Sequence, residues 1–176
     1  MRINRLGLYA PCAVLLFAIA AAAQQAAPVP DGPIPTAIPA ARSIFISNAG
    51  ADSGLFPEPF TGDASRGYSQ FYAALKATGK YELVSDPSAA DLVLELQLTA
   101  PNGPSKGSKV NGASDPVPMF RLVIYDRKTH YVLWALTDSI DIAFRQKTHD
   151  RNFDDALQAL VYEFESISGK APLAQH

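Results

Sequence analysis

Leucine alternates with other residues without a break from Leu92 to Thr99, so that Leu92, Leu94, Leu96 and Leu98 share one side of an extended chain and Val93, Glu95, Gln97 and Thr99 the other. A period of two marks a strand with one face on a core. Upstream, RSIFISN (Arg42 to Asn48) gathers β-branched and aromatic residues into a first strand. After a loop too rich in Gly and Pro for regular structure, Tyr68, Phe71, Tyr72 and Leu75 recur at helical spacing and Gly79 stops the helix. YELVSD then reads as a strand and PSAAD as a turn or a single helical turn. FRLVIYDRKTHYVLWAL (Phe120 to Leu136) predicts a hairpin, its second strand running on to Phe144 with room for a bulge. In the closing helix Phe153, Leu157, Leu160, Phe164 and Ile167 form one stripe, with Asn152 as cap and Gly169 as stop. The order β-α-β-β-β-β-α predicts an α/β (α+β) fold: a mixed four- to five-stranded sheet with two helices packed on one face.

With Arg127 and Lys128 at the hairpin tip, Phe120 faces Ala135, Leu122 faces Leu133 and Ile124 faces Tyr131, which makes one continuous apolar face. Asp126 then flanks the turn, where its carboxylate bonds nearby amides, and His130 is a turn residue. The other face of the hairpin would gather Arg121, Val123, Tyr125, His130, Val132 and Trp134, joined by Val93 from the neighbouring strand. That mixture is too apolar for a solvent face and too polar for a core. Arg121 would oppose Trp134 in a cation–π contact. Trp, Tyr and Arg dominate interface hot spots, so Arg121, Val123, Tyr125, Val132 and Trp134 are the expected binding residues. The competing expectation is that the loop from Pro101 to Val117, polar and rich in Gly, Pro and Ser, folds over this face.

The ends of the chain set its address. Arg2 and Arg5, an apolar run centred on Val14 to Ala20, and Ala21 to Ala23 form the pattern of a secretory signal peptide, residues 1–23. A retained anchor is the alternative, and would be the protein's one membrane contact. Cleavage should leave Gln24 as the first mature residue. Intact-mass measurement on the exported protein checks this, and full-length chain in detergent-extracted membranes would show an anchor instead. Residues 24–41, rich in Pro and Ala, read as an extended spacer, 42–170 as one globular domain, and 171–176 as a disordered tail. At 48% hydrophobic and 18% charged residues the domain has material for a real core. Loss of Arg2 and Arg5 from fifteen basic residues leaves thirteen against seventeen acidic ones, a net charge of −4. Nucleic acid is therefore not an expected partner. Cys12 lies in the signal segment, so the mature chain has no disulfide, no thiolate nucleophile and no cysteine metal site.

Candidate chemistry is sparse. The sequence contains no HExxH and no Gly-rich phosphate loop. Asp150, Asn152, Asp154 and Asp155, with His149, read as capping of the last helix and complement to its dipole. NAGADSG (Asn48 to Gly54) spaces oxygen side chains as calcium loops do but lacks the remote bidentate acid, and reads as a turn. No catalytic residue, metal or cofactor is expected. An alternative is a hydrolase using Asp52, Asp63, Asp126, His130 or His149, if the fold brings them into one pocket. Another is a small-ligand or lipid carrier, for which Phe56 and Phe60 in LFPEPF would line a cavity rather than cover one end of the core.

From Ala89 to Leu136 the succession AADLVLEL, loop, FRLVIYDRKTHYVLWAL resembles the pattern of small exported bacterial envelope domains such as the TolB amino-terminal domain and CsgG or LpoB-like proteins. The resemblance implies a mixed sheet with helices on one side, an envelope or periplasmic location, and a role in partner binding or assembly without catalysis. It transfers no site residues. The expected function is thus a non-enzymatic exported interaction module with an envelope protein as partner.

Overall fold

A computed structural model describes residues 32–101 and 116–170. The expected signal peptide, most of the spacer, the centre of the loop after the leucine strand and the expected tail lie outside the described residues. Strands β1 (Ser43–Ala51), β2 (Glu82–Leu83), β3 (Leu92–Thr99), β4 (Met119–Asp126) and β5 (Val132–Ser139) form one sheet in the order β2-β1-β3-β4-β5. β1 runs parallel to β2 and β3, while β3–β4 and β4–β5 are antiparallel. The sheet is therefore mixed and five-stranded, with helices on one side.

Alternation fixes which side of the sheet is buried. Leu92, Leu94, Leu96 and Leu98 of β3 are all buried, as are Ile44 and Ile46 of β1 and Phe120, Leu122 and Ile124 of β4. Against this face pack α2 (Arg66–Thr78), through Phe71 and Leu75, and α3 (Gln146–Ile167), through Phe153, Leu157, Leu160, Phe164 and Ile167. Gly79 ends α2 in the left-handed conformation, φ 64°, that glycine adopts without a Cβ penalty. Gly67 lets α2 approach the sheet, since a Cβ there would lie 3.0 Å from Phe120 Cε1. Phe56 and Phe60 close one end of the core, their rings 6.2 Å and 5.1 Å from that of Phe153. Phe60 is fully buried in the core and Phe56 packs against it, as lids over that end would.

Two boundaries differ from expectation near the first strand. The Pro/Ala-rich spacer does not run to Ala41: α1 (Ala37–Ala40) is a single helical turn whose Ile38 is fully buried, and Ile34 packs against the same core. Isolated isoleucines carry no period for a sequence to show, yet burying each is worth about 2 kcal/mol. The expected strand YELVSD shrinks to Glu82 and Leu83 because Asp86 caps a 3-10 turn (Pro87–Ala89) by accepting from Ser88 N–H. The turn at PSAAD is where the sequence placed it. Asp91 then ties β3 to the start of β1, its Oδ2 accepting from the Arg42 and Ser43 amides at 2.9 Å and 3.0 Å.

The hairpin departs most. Leu122 faces Leu136 and Ile124 faces Trp134, so the strands are offset by three positions from the expected register, with an irregularity between Ile124 and Tyr125 that leaves Leu133 as the extra residue. The cause is the turn. Asp126 Oδ1 accepts from the Lys128 and Thr129 amides, His130 N–H donates to Asp126 O, and His130 adopts φ 62°. A left-handed residue after the turn lengthens the loop and moves the strands past one another. β5 also stops at Ser139, short of Phe144, which is fully exposed. On this edge strand Asp138 faces Phe120 and so lies on the helix side of the sheet, where burial pushes its carboxyl pKa up.

The last helix starts six residues before Asn152. Asn152 does not cap it but donates to Asp141 O, and Asp150, Asp154 and Asp155 lie within it. Its first turns are held from outside. Arg66 of α2 donates to Asp150 Oδ1 at 2.5 Å and to Asp154 Oδ1 at 2.8 Å, with its guanidinium 4.2 Å from the centre of the Phe153 ring. Asp150 Oδ1 also accepts from Thr61 N–H and Oγ1, and Gln146 Nε2 donates to Pro59 O. His149 places Nδ1 3.0 Å from Pro59 O and Nε2 against Ala143 O.

Candidate functional site

Because side chains alternate, an odd register offset exchanges the two faces of β5. Trp134 therefore does not share a face with Arg121. It lies opposite Ile124, half-buried on the helix side and packed against the core, and a Cβ on Gly32 would lie 3.6 Å from its Cη2. Arg121 faces Thr137 on β5, so the expected Arg121–Trp134 stack is not formed. His130 leaves the face as well, since it belongs to the turn.

The remaining expected residues do meet. On the side of the sheet away from α2 and α3, Phe45, Val93, Tyr125 and Val132 make one cross-strand row, and Ser47, Glu95, Val123 and Ala135 the next. Gln97, Arg121 and Thr137 form a third. Arg121 and Val132 are exposed, Tyr125 is half-buried, and Val123 is buried. Tyr125 Oη donates to Glu95 Oε1 at 3.4 Å. Burial, with the Glu95 charge beside it, pushes the phenol pKa up, so Tyr125 is a neutral donor at physiological pH. Phe45 and Glu95 were not among the expected binding residues, and Ala135, expected opposite Phe120 on the other face, faces Val123 instead. Their common face follows from strand order, which no local pattern shows.

A second feature lies where β1 and β3 end and β4 begins. An open cleft of about 720 Å³ is lined by Asp52, Ser53, Gly54, Leu55, Pro59, Ala100, Pro116, Pro118 and Ile142. Asp52 Oδ2 accepts from Thr99 Oγ1 at 2.7 Å and from the Ala100 amide at 2.8 Å. These two bonds, the hydroxyl first, hold its carboxyl below the usual carboxylate range.

The residues of the hydrolase alternative do not converge. Asp52 is in the cleft, Asp63 bonds the Ser65 amide and hydroxyl before α2, Asp126 and His130 are in the hairpin turn, and His149 is engaged by Pro59 and Ala143. Asn48 to Ala51 of the calcium-like run belong to β1, and Asn48 Oδ1 accepts from Gly50 N–H. Among the described residues no group of three or more His, Cys, Asp or Glu could hold a metal.

No family model and no curated protein matches the chain. Solved structures do. A DUF4136 family protein from Bacteroides thetaiotaomicron is 11% identical over 74% of this chain and 90% of its own, with a TM-score of 0.48. The LpoB C-terminal domain from Escherichia coli is 14% identical over 58% and 84%, at 0.40. TolB from Acinetobacter baumannii is 14% identical over 73% of this chain and 29% of its own, also at 0.40. LpoB and TolB are two of the proteins whose strand–turn–strand pattern the sequence resembles. At these identities and scores the likeness bears on neither the function nor the site.

Proposed function

We propose that the protein is a non-enzymatic, exported interaction module of the cell envelope, and that its sheet face around Arg121, Tyr125 and Val132 binds a protein partner. The observation that carries this reading is the composition of that face. Phe45, Val93, Tyr125 and Val132 form an apolar band across four strands, flanked by Glu95 and Arg121, and no helix among the described residues packs on it. Apolar centres with Tyr and Arg anchors are the usual make-up of the energetic core of an interface. The amino-terminal signal pattern supplies the location.

Site-specific photo-crosslinking in the exporting cells tests it. A photoreactive residue in place of Arg121 or Val132 is expected to give one discrete adduct, and the same group in place of the exposed Gln158 on α3 none. Arg121→Glu should reduce an adduct formed from Val132 several-fold with Tm unchanged. Equal labelling from Gln158, or none from the sheet face, removes the proposal.

A further inference from the structure

The cleft beyond the ends of β1 and β3 is separate from the sheet face, and its lining is chemically one-sided. Leu55, Pro59, Pro116, Pro118 and Ile142 make apolar walls, and among the described residues Asp52 supplies the one charge. Among the described residues no basic side chain pairs with that carboxylate. Both of its described hydrogen bonds fall on Oδ2, which leaves Oδ1 for another donor. The carboxylate is also fixed in direction, because its backbone N–H donates to Leu98 O at 2.9 Å while Oδ2 is held by Thr99 and Ala100. Fixed charges on apolar walls attract a ligand that is cationic at one end and apolar along its length. A divalent cation does not fit the described lining, since it needs several oxygen ligands and among the described residues one carboxylate lines the cleft.

We infer that this cleft binds an aliphatic ammonium ion, its –NH3+ on Asp52 Oδ1 and its hydrocarbon chain against Leu55, Pro59 and Ile142. A cleft of about 720 Å³ lies within the size range of small-molecule sites and exceeds a six-carbon chain several times over. The rest of its volume suits the backbone of a peptide from which a lysine side chain reaches Asp52. Free alkylamines and lysine-bearing peptides share this chemistry.

Amide NMR titration with n-hexylammonium, 1-hexanol and N-acetyl-Ala-Lys-Ala-amide separates the cases. Hexylammonium should shift the Ser53, Gly54 and Ala100 amides to saturation. Asp52→Asn keeps an oxygen for Thr99 and Ala100 and should leave Tm unchanged, yet weaken hexylammonium about tenfold or more through loss of a charge-assisted bond, with 1-hexanol unaffected. Saturation by the lysine peptide as well assigns a peptide ligand, and saturation by hexylammonium alone a free amine. Titration that never saturates, or that Asp52→Asn does not change, overturns the inference. So does binding that emerges only in K106A/K109A, because the chain's own lysines would then be the occupants of Asp52. The sheet-face proposal stands or falls by its crosslinks, independently of these outcomes.

Discussion

Phe164→Ala is expected to remove a large part of the protein's stability. Phe164 is fully buried on α3, its ring centroid 5.4 Å from that of Tyr81, in one cluster with Leu94, Leu96, Leu122 and Leu160. Cutting back a buried phenylalanine costs about 3–5 kcal/mol, because both transfer free energy and the contacts lining the void are lost. A domain of this size holds about 5–15 kcal/mol in total. The surroundings have little freedom to collapse into the space. Tyr81 is pinned by a 2.5 Å bond between its Oη and Ser168 Oγ, and burial raises its phenol pKa to about 12. Urea denaturation monitored by circular dichroism reads the effect, with Gln158→Ala on the exposed side of α3 as the reference. A midpoint shift no larger than that of the reference would mean that α3 does not seal the core.

The second large effect concerns Arg66. Its side chain is mostly buried, bonds Asp150, Asp154 and the Thr61 carbonyl, and covers Phe153. Arg66→Met keeps most of the hydrophobic stem and should still cost about 2–3 kcal/mol, since two carboxylates lose their partner in a partly desolvated site. The network also sets the acid response. Burial alone would raise the Asp150 carboxyl, but the bonds from Arg66, Thr61 and Gln146 together lower it from 3.8 to about 2. A depressed folded-state pKa contributes stability above the unfolded value and loses it as pH falls through the folded one. Wild-type protein should therefore weaken between pH 4 and pH 2, and Arg66→Met should flatten that part of the profile. Parallel profiles in thermal melts across this range would show that Arg66 does not set the Asp150 carboxyl.

Elements written by local periodicity were legible. Leu92 to Leu98 are buried as their alternation requires, Gly79 stops α2, and the stripe from Phe153 to Ile167 faces the core. What was not legible is non-local. The start of α3 carries no apolar stripe, and its helical form rests on Pro59, Thr61 and Arg66, far away in sequence. The hairpin failed for a subtler reason. Both candidate registers set apolar residues opposite Phe120, Leu122 and Ile124 at two or more positions, so composition could not choose between them. The choice was made by a backbone conformation at His130, a residue type that adopts positive φ more often than most but still only in a minority of cases. That odd offset moved Trp134 from the expected binding face to the core side and set Ala135 on the binding face, while the extra residue at Leu133 kept Val132 opposite Tyr125.

Among the described residues β5 has no neighbour on its outer side, and its open backbone groups are a template for another strand. Two features described above make it a poor one. The extra residue at Leu133 bends the strand at one end, and Asp138 turns its carboxylate inward at the other, beside Glu163, whose own pKa is raised by burial and by the Asp138 charge. An incoming strand would have to straighten the first and bury the second more deeply, leaving two acids near each other without water. The energetic discomfort of Asp138 thus acts as a safeguard: it trades stability within one molecule for solubility among many.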